Sequence, residues 1–169
     1  DDVVSVVTIE NNEIVNSALG VDGYVQFSSI RDNKVRNFTG GSGVAITGQL
    51  SDSFVERNQV LSYTASRAIQ LAAKPNLPLS SDTSFKCNDL TSNLIGVDVA
   101  ASQTSLTGIL FSGNNITGNT IGAVNGGTPF LSAAFNWWGC AAGPGNPGCD
   151  QIIGNATFVP FRTAPSGCS

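Results

Sequence analysis

One six-residue pattern, apolar-x-x-Asn-x-apolar, returns along almost the whole chain. It runs Ile9 to Ile14 around Asn12, Ile30 to Val35 around Asn33, Val55 to Val60 around Asn58, Phe85 to Leu90 around Asn88 and Phe111 to Ile116 around Asn114. A degenerate sixth copy, Ala133 to Trp138, surrounds Asn136. Successive asparagines are 21, 25, 30, 26 and 22 residues apart. That is the length of one solenoid coil, so the chain is expected to stack short repeating units on a common axis.

The apolar residues alternate in short runs rich in Val, Ile, Phe and Thr, which is strand periodicity and not helix periodicity. A second short run follows each hexad: Tyr24 to Phe27, Val44 to Ile46, Ala68 to Leu71, Val97 to Val99 and Ile121 to Ala123. Two or three strands per coil, joined by Gly, Asn and Ser turns, predict an all-β parallel beta-helix of about six coils, each paired with the next. The repeated asparagine is expected at a bend, because it tolerates left-handed backbone angles and carries both a donor and an acceptor. In this register the residues two before each asparagine share an outward column, Glu10, Arg31, Glu56, Lys86, Ser112 and Ala134. The charged members alternate in sign, which is favourable between neighbouring strands. The column just after the asparagines, Glu13, Lys34, Gln59, Asp89 and Asn115, also begins with an opposite-charge pair.

At 169 residues the chain suits one domain, and six coils would stand about 29 Å tall. The division expected is coils over 1–139 and a loop and cap over 140–169. Charged residues are only 12% of the chain and no basic cluster occurs, which argues against a nucleic-acid partner. No uninterrupted apolar stretch reaches spanning length, so no membrane span is expected. With neither a starting Met nor a signal peptide, the sequence reads as a mature or excised form.

Cys87, Cys140, Cys149 and Cys168 suit an oxidising, extracellular or cell-surface setting better than a metal site, since the chain has no His and no Cys-x-x-Cys. Cys140 and Cys149 close a Gly/Pro-rich loop and are expected to pair. Cys87 and Cys168 then pair within the chain or between chains. No metal or other cofactor is expected.

Of the 20 charged residues, 18 lie in residues 1–98, and none occurs from Val99 through Cys149. This stretch is expected to be an uncharged face, covered by a partner or polar enough without charge. After the last coil, Trp137-Trp138-Gly139, the cysteine-bracketed loop and Ala156 to Phe161 supply material for a cap. At the other end the chain enters almost directly into a strand. Val3, Val4, Val6, Val7 and Ile9 would therefore leave an apolar, hydrogen-bonding edge for assembly.

The stretch Phe135-Asn-Trp-Trp-Gly-Cys140, its Gly-Pro loop to Cys149, and Ile152 to Phe161 resemble the terminal motif of secreted bacterial right-handed beta-helix repeat proteins of the pectin-lyase-like superfold. The resemblance implies a right-handed coil, secretion and a disulfide-stapled C-terminal cap. It leaves activity open, because the superfold hosts polysaccharide lyases and glycosidases beside adhesins and large surface proteins.

Glycoside hydrolysis needs a carboxylate pair, and lyase chemistry needs a base beside a cation. Asp22, Asp32, Asp52, Glu56, Asp82, Asp89 and Asp98 are scattered with no pair inside a coil, and Asp32, Glu56 and Arg57 are the candidate members of a site because they could neighbour one another on adjacent coils. A Ser-His-Asp or Cys-His set is excluded because the chain has no histidine. Trp137 and Trp138 are read as cap packing before sugar stacking. Asn37, Asn115 and Asn155 head glycosylation sequons, a number expected from composition alone. The reading is a non-enzymatic extracellular structural solenoid, a subunit of a surface assembly or filament. Its partner is another copy or the rest of a larger surface protein. The alternative is a small carbohydrate-active or carbohydrate-binding beta-helix with a polysaccharide as partner.

Overall fold

The computed structural model describes residues 3–40 and 43–168. Within them the chain coils into three parallel sheets that share one axis. Sheet two takes Thr8–Glu10, Ser29–Arg31, Phe54–Glu56, Ser84–Lys86 and Leu110–Ser112. Sheet three takes Glu13–Val15, Lys34–Arg36, Gln59–Leu61, Asp89–Thr91 and Asn115–Thr117. Sheet one is longer: Val3–Ser5 pairs with Leu19–Gln26, followed by Ile46–Ser51, Arg67–Leu71, Ile95–Val99, Ile121–Asn125 and Ile152–Gly154.

The two apolar positions of each hexad point inward, as strand pleating requires when the asparagine between them turns the corner from sheet two to sheet three. Ile30, Val55, Phe85 and Phe111 form one interior column at 0–1% exposure. Val35, Val60, Leu90 and Ile116 form the other. Phe85 and Phe111 stack with ring centroids 4.2 Å apart. Both outward columns also follow the expected register, with Glu10 opposite Arg31, Arg31 opposite Glu56, and Glu13 opposite Lys34.

Five coils carry strands in all three sheets, one fewer than the hexad count suggests. The sixth copy keeps its corner but contributes only a single bridge, Trp137 to Asn115, to sheet three, because the chain leaves the coil at Gly139 with φ of 84°. After the Cys140–Cys149 loop, Ile152–Gly154 rejoins sheet one and Ala156–Thr157 pairs with Leu131–Ser132. Phe158 and Phe161 then pack across the end of the core. Trp138 is fully buried beneath this cap.

The asparagine has a different role from the one its tolerance of left-handed angles suggests. The residue before it takes the positive φ: Asn11, Asp32, Arg57, Cys87, Gly113 and Phe135 lie between 52° and 68°. The asparagine itself is the bonding element. Asn33 Oδ1 accepts from both Asn12 N and Asn12 Nδ2, at 3.1 and 3.0 Å, while Asn33 Nδ2 donates to Ile9 O of the preceding coil and to Asn58 Oδ1. The unit repeats through Asn58, Asn88, Asn114 and Asn136. Each corner's otherwise orphaned N–H and C=O groups are thereby satisfied inside the wall.

The uncharged stretch is not a face. Residues 99–149 pass through Leu110–Ser112, Asn115–Thr117 and Ile121–Asn125, one strand of every sheet, so they form a band around the C-terminal end. A contiguous stretch longer than one coil must circle the axis.

Candidate functional site

Sequence reasoning singled out Asp32, Glu56 and Arg57, and the structure brings the three together. Asp32 and Arg57 are the left-handed corner residues of neighbouring coils, which aims both side chains outward side by side. Arg57 Nε and Nη2 donate to the two oxygens of Asp32 at 2.7 and 2.8 Å, and Nη1 reaches Glu56 at 3.4 Å. The guanidinium's hydrogen bonds hold the Asp32 carboxyl below its ordinary pKa. The ion pairs thus depart from the expected column ladder. Glu10–Arg31 forms as expected, whereas Glu13 pairs with Arg36 rather than Lys34, and Glu56 is reached by Arg57.

Asp32 and Arg57 border a shallow groove on the outer surface of sheet three. One part, of 380 Å³, is lined by Asp32, Asn33, Lys34, Arg57, Gln59 and Cys168. It meets at Gln59 a second, 310 Å³ cleft that includes Asp89, Thr91, Asn115, Thr117, Trp137 and Pro165. The wall of both is the C-terminal tail. That tail turns back from the cap, where Arg162 N donates to Asn136 O, and recrosses the coils in reverse. Asn115 binds the Ser166 backbone at both ends, its Oδ1 accepting from N at 2.6 Å and its Nδ2 donating to O at 3.3 Å. Cys168 is joined to Cys87 within the chain, with Cα atoms 5.2 Å apart. The Cys140–Cys149 pair is also formed.

Of the two tryptophans, Trp138 belongs to the core and only half-buried Trp137 lines the groove. The sequons also differ in setting. Asn37 is buried, with its Oδ1 accepting from Thr39 N and Oγ1. Asn115 is held by Asp89 and the tail, so a glycan on either residue would require the local fold to open. Asn155 is exposed. Among the described residues no three His, Cys, Asp or Glu side chains converge as a metal site would need.

Sequence reasoning missed two further polar columns. Asn93 and Asn119 repeat the ladder at the corner between sheets three and one, with Asn93 N and Nδ2 both donating to Asn119 Oδ1 at 2.9 Å. This ladder ends on Asp150, whose Oδ2 accepts from Asn119 N and Nδ2 at 3.2 and 2.7 Å. Burial there raises the Asp150 carboxyl pKa, and the Asn119 hydrogen bonds partly oppose the shift. The signal was the shared five-residue offset of Asn88 to Asn93 and Asn114 to Asn119. At the remaining corner, Ser28 Oγ accepts from Val7 N and Ser53 Oγ accepts from Ser28 N.

The residues expected at an assembly edge lie in the first coil. Val3 and Val4 belong to the strand that pairs with Tyr24 and Val25. Val7 and Ile9 are half-buried against the core, and Val6 is 68% exposed.

The family model of a right-handed beta helix region matches residues 2–135. Neither a curated protein nor a solved structure matches the chain.

Proposed function

The chain belongs to the right-handed beta helix region family, and from that premise we propose that it is a non-enzymatic, extracellular structural module, a β-solenoid unit of a surface assembly. The observation that carries this reading is the closed ion pair at Asp32. A general acid must hold its proton near the working pH and a general base must turn an oxygen to its substrate, whereas Arg57 lowers the Asp32 pKa and occupies both carboxylate oxygens. Asn33, Asn58, Asn88, Asn114, Asn93 and Asn119 inside the wall serve its corner columns, and buried Gln49, Gln103 and Asn125 hold loop carbonyls. Two disulfides that account for all four cysteines support the extracellular setting.

The test incubates the purified protein with a panel of neutral and acidic polysaccharides and follows both new reducing ends and the ultraviolet absorbance of unsaturated products. No turnover above buffer is expected. Turnover that disappears in Arg57→Ala would overturn the reading and make the Asp32 cluster catalytic.

A second reading, binding of a carbohydrate without cleavage, has one observation in its favour. Trp137 offers an aromatic surface at the end of a groove whose other side chains are mostly amides and hydroxyls. Calorimetry with neutral oligosaccharides tests it, with Trp137→Ala expected to abolish any heat of binding.

A further inference from the structure

Beyond Phe161 the chain changes character. Phe158 and Phe161 pack against the core, the Phe161 ring resting on Gly143. From Arg162 to Cys168 no residue belongs to a strand, and no apolar side chain is packed against the core. Arg162, Thr163, Ala164, Pro165 and Gly167 are exposed, and only Ser166 and Cys168 are half-buried.

This segment is held on the coils at three places. Arg162 N donates to Asn136 O, the Asn115 amide takes both backbone groups of Ser166, and Cys168 is bridged to Cys87. Ordering a whole segment costs more backbone entropy than three hydrogen bonds beside water return. The covalent tie therefore decides where the segment lies. The coils do not need it, since their last rung and their apolar end are already closed by Asn136 and by chain up to Phe161.

The two bridges differ in their surroundings. Cys87 takes the left-handed corner position that Arg57 takes one coil earlier, with φ of 55° and 52°. Cys168 lines the same part of the groove as Lys34 and Arg57. Arg57 shares its charge with Asp32 and Glu56, but Glu13, which faces Lys34 across the ladder, is taken by Arg36. Among the described residues Lys34 pairs with no carboxylate. A cation beside a sulfur favours its departure as a thiolate, which speeds cleavage of a disulfide. At the Cys140–Cys149 bridge the sequence neighbour is Asp150, and no Lys or Arg lies between Val99 and Arg162.

We propose that residues 162–168 are a redox-released strap: a dithiol reductant opens Cys87–Cys168 ahead of Cys140–Cys149, and the segment leaves sheet three while coils and cap stay folded. The reductant's thiolate attacks Cys87 Sγ, the bond to Cys168 breaks, and Cys168 leaves as a thiolate that takes up a proton. The reductant's second thiol then loses its proton and displaces Cys87, which is protonated in turn. Two electrons and two protons pass to the protein, and the dithiol ends as a disulfide.

Release changes what sheet three presents. Asn115 loses Ser166 but keeps Asp89, whose Oδ1 accepts from its Nδ2 at 2.6 Å, so the amide stays oriented with its acceptor turned to solvent. Trp137 loses the wall that Pro165 provides. The groove becomes an open face along the column of Lys34, Gln59, Asp89, Asn115 and Trp137.

The test treats the native chain with rising dithiothreitol, blocks free thiols with iodoacetamide and maps the label by mass spectrometry. Far-UV circular dichroism follows the coils, and acrylamide quenching of fluorescence follows Trp137. Label is expected on Cys87 and Cys168 at concentrations that leave Cys140 and Cys149 paired, with unchanged circular dichroism and a loss of Trp137 protection. That loss is expected to be absent in Trp137→Phe, because Trp138 stays buried beneath the cap. Cys168→Ser should show the unprotected Trp137 without reductant and no further change with it, and the reduced, alkylated wild type gives the same reading with no substitution. Opening of Cys140–Cys149 first or at the same concentration overturns the proposal. So does circular dichroism lost as Cys87 and Cys168 take the label, or Trp137 quenched no more once both are labelled.

Discussion

The two ends of the solenoid begin from the same hexad and finish differently. In the first coil the inward residues Ile9 and Ile14 are only half-buried, and Asn12 stands exposed. In the last, Ala133 and Trp138 are 1% and 0% exposed and Asn136 is fully enclosed. The repeat therefore seals nothing by itself. An inward apolar residue is buried only if a coil lies on both sides of it, and the last hexad has its second neighbour only because Ala156–Thr157 and Phe158 to Phe161 fold across it. A solenoid needs non-repeating chain wherever it meets water.

The largest effects are expected where that non-repeating chain is tied down. Opening the Cys87–Cys168 bridge with Cys168→Ser frees a loop of sequence separation 81 and should cost about 4–5 kcal/mol on chain entropy, against about 2.5 kcal/mol for the Cys140–Cys149 loop of separation 9. Urea unfolding measures both. Equal costs would mean that the tail adds nothing beyond the loop. Trp138→Ala should lose about 3–5 kcal/mol and Ile14→Ala about 1 kcal/mol, because only the first leaves a closed cavity. Similar losses at the two sites would break the contrast between closed and open ends.

Within the ladder, Asn58→Ala removes the side-chain partner of two donors on Asn33 and of acceptors on Ile30 and Asn88, and should cost about 3 kcal/mol. Asn12→Ala, at the exposed rung, should cost under about 1 kcal/mol in the monomer. A terminal rung as costly as an interior one would show that the first coil is covered even in dilute solution.

The smallest effect is a pH dependence at Asp150. Burial raises its carboxyl pKa, so between the ordinary aspartate value and the raised one the folded chain holds a proton that the unfolded chain has released. Stability from this group therefore falls as pH rises through that window. Asp150→Asn keeps a carbonyl acceptor for Asn119 and removes the charge, so it should stabilise the protein at neutral pH, with the gain fading below the ordinary aspartate range. Unfolding midpoints across that range check it, and an unchanged neutral-pH midpoint would show that water relieves the carboxylate.

The main ladder and both interior columns were legible because each hexad carries its whole instruction locally. Ile30, Asn33 and Val35 alone set which faces point inward and where the chain bends. Asp32 and Arg57 were legible as neighbours once the coils were aligned, yet their mutual grip was not. It depends on the left-handed backbone before each asparagine, which throws both side chains outward together. The Asn93–Asn119 ladder carried a weaker signal, two copies at one offset, and its terminal member Asp150 shares no local motif with them. The groove had no signature, since its wall is a tail whose residues meet Asn115 and Cys87 from sequence separations of 51 and 81.

The sequence by itself determined the coil period, the inward residues and the polar column at one corner, because a stacked repeat places the same environment above and below each unit and needs only local pattern to fill it. Tertiary structure alone decided how the ends close, which corner residues turn left-handed and where the tail returns. Each of these depends on chain that arrives from another coil, and the geometry of that encounter is written in no single stretch of residues.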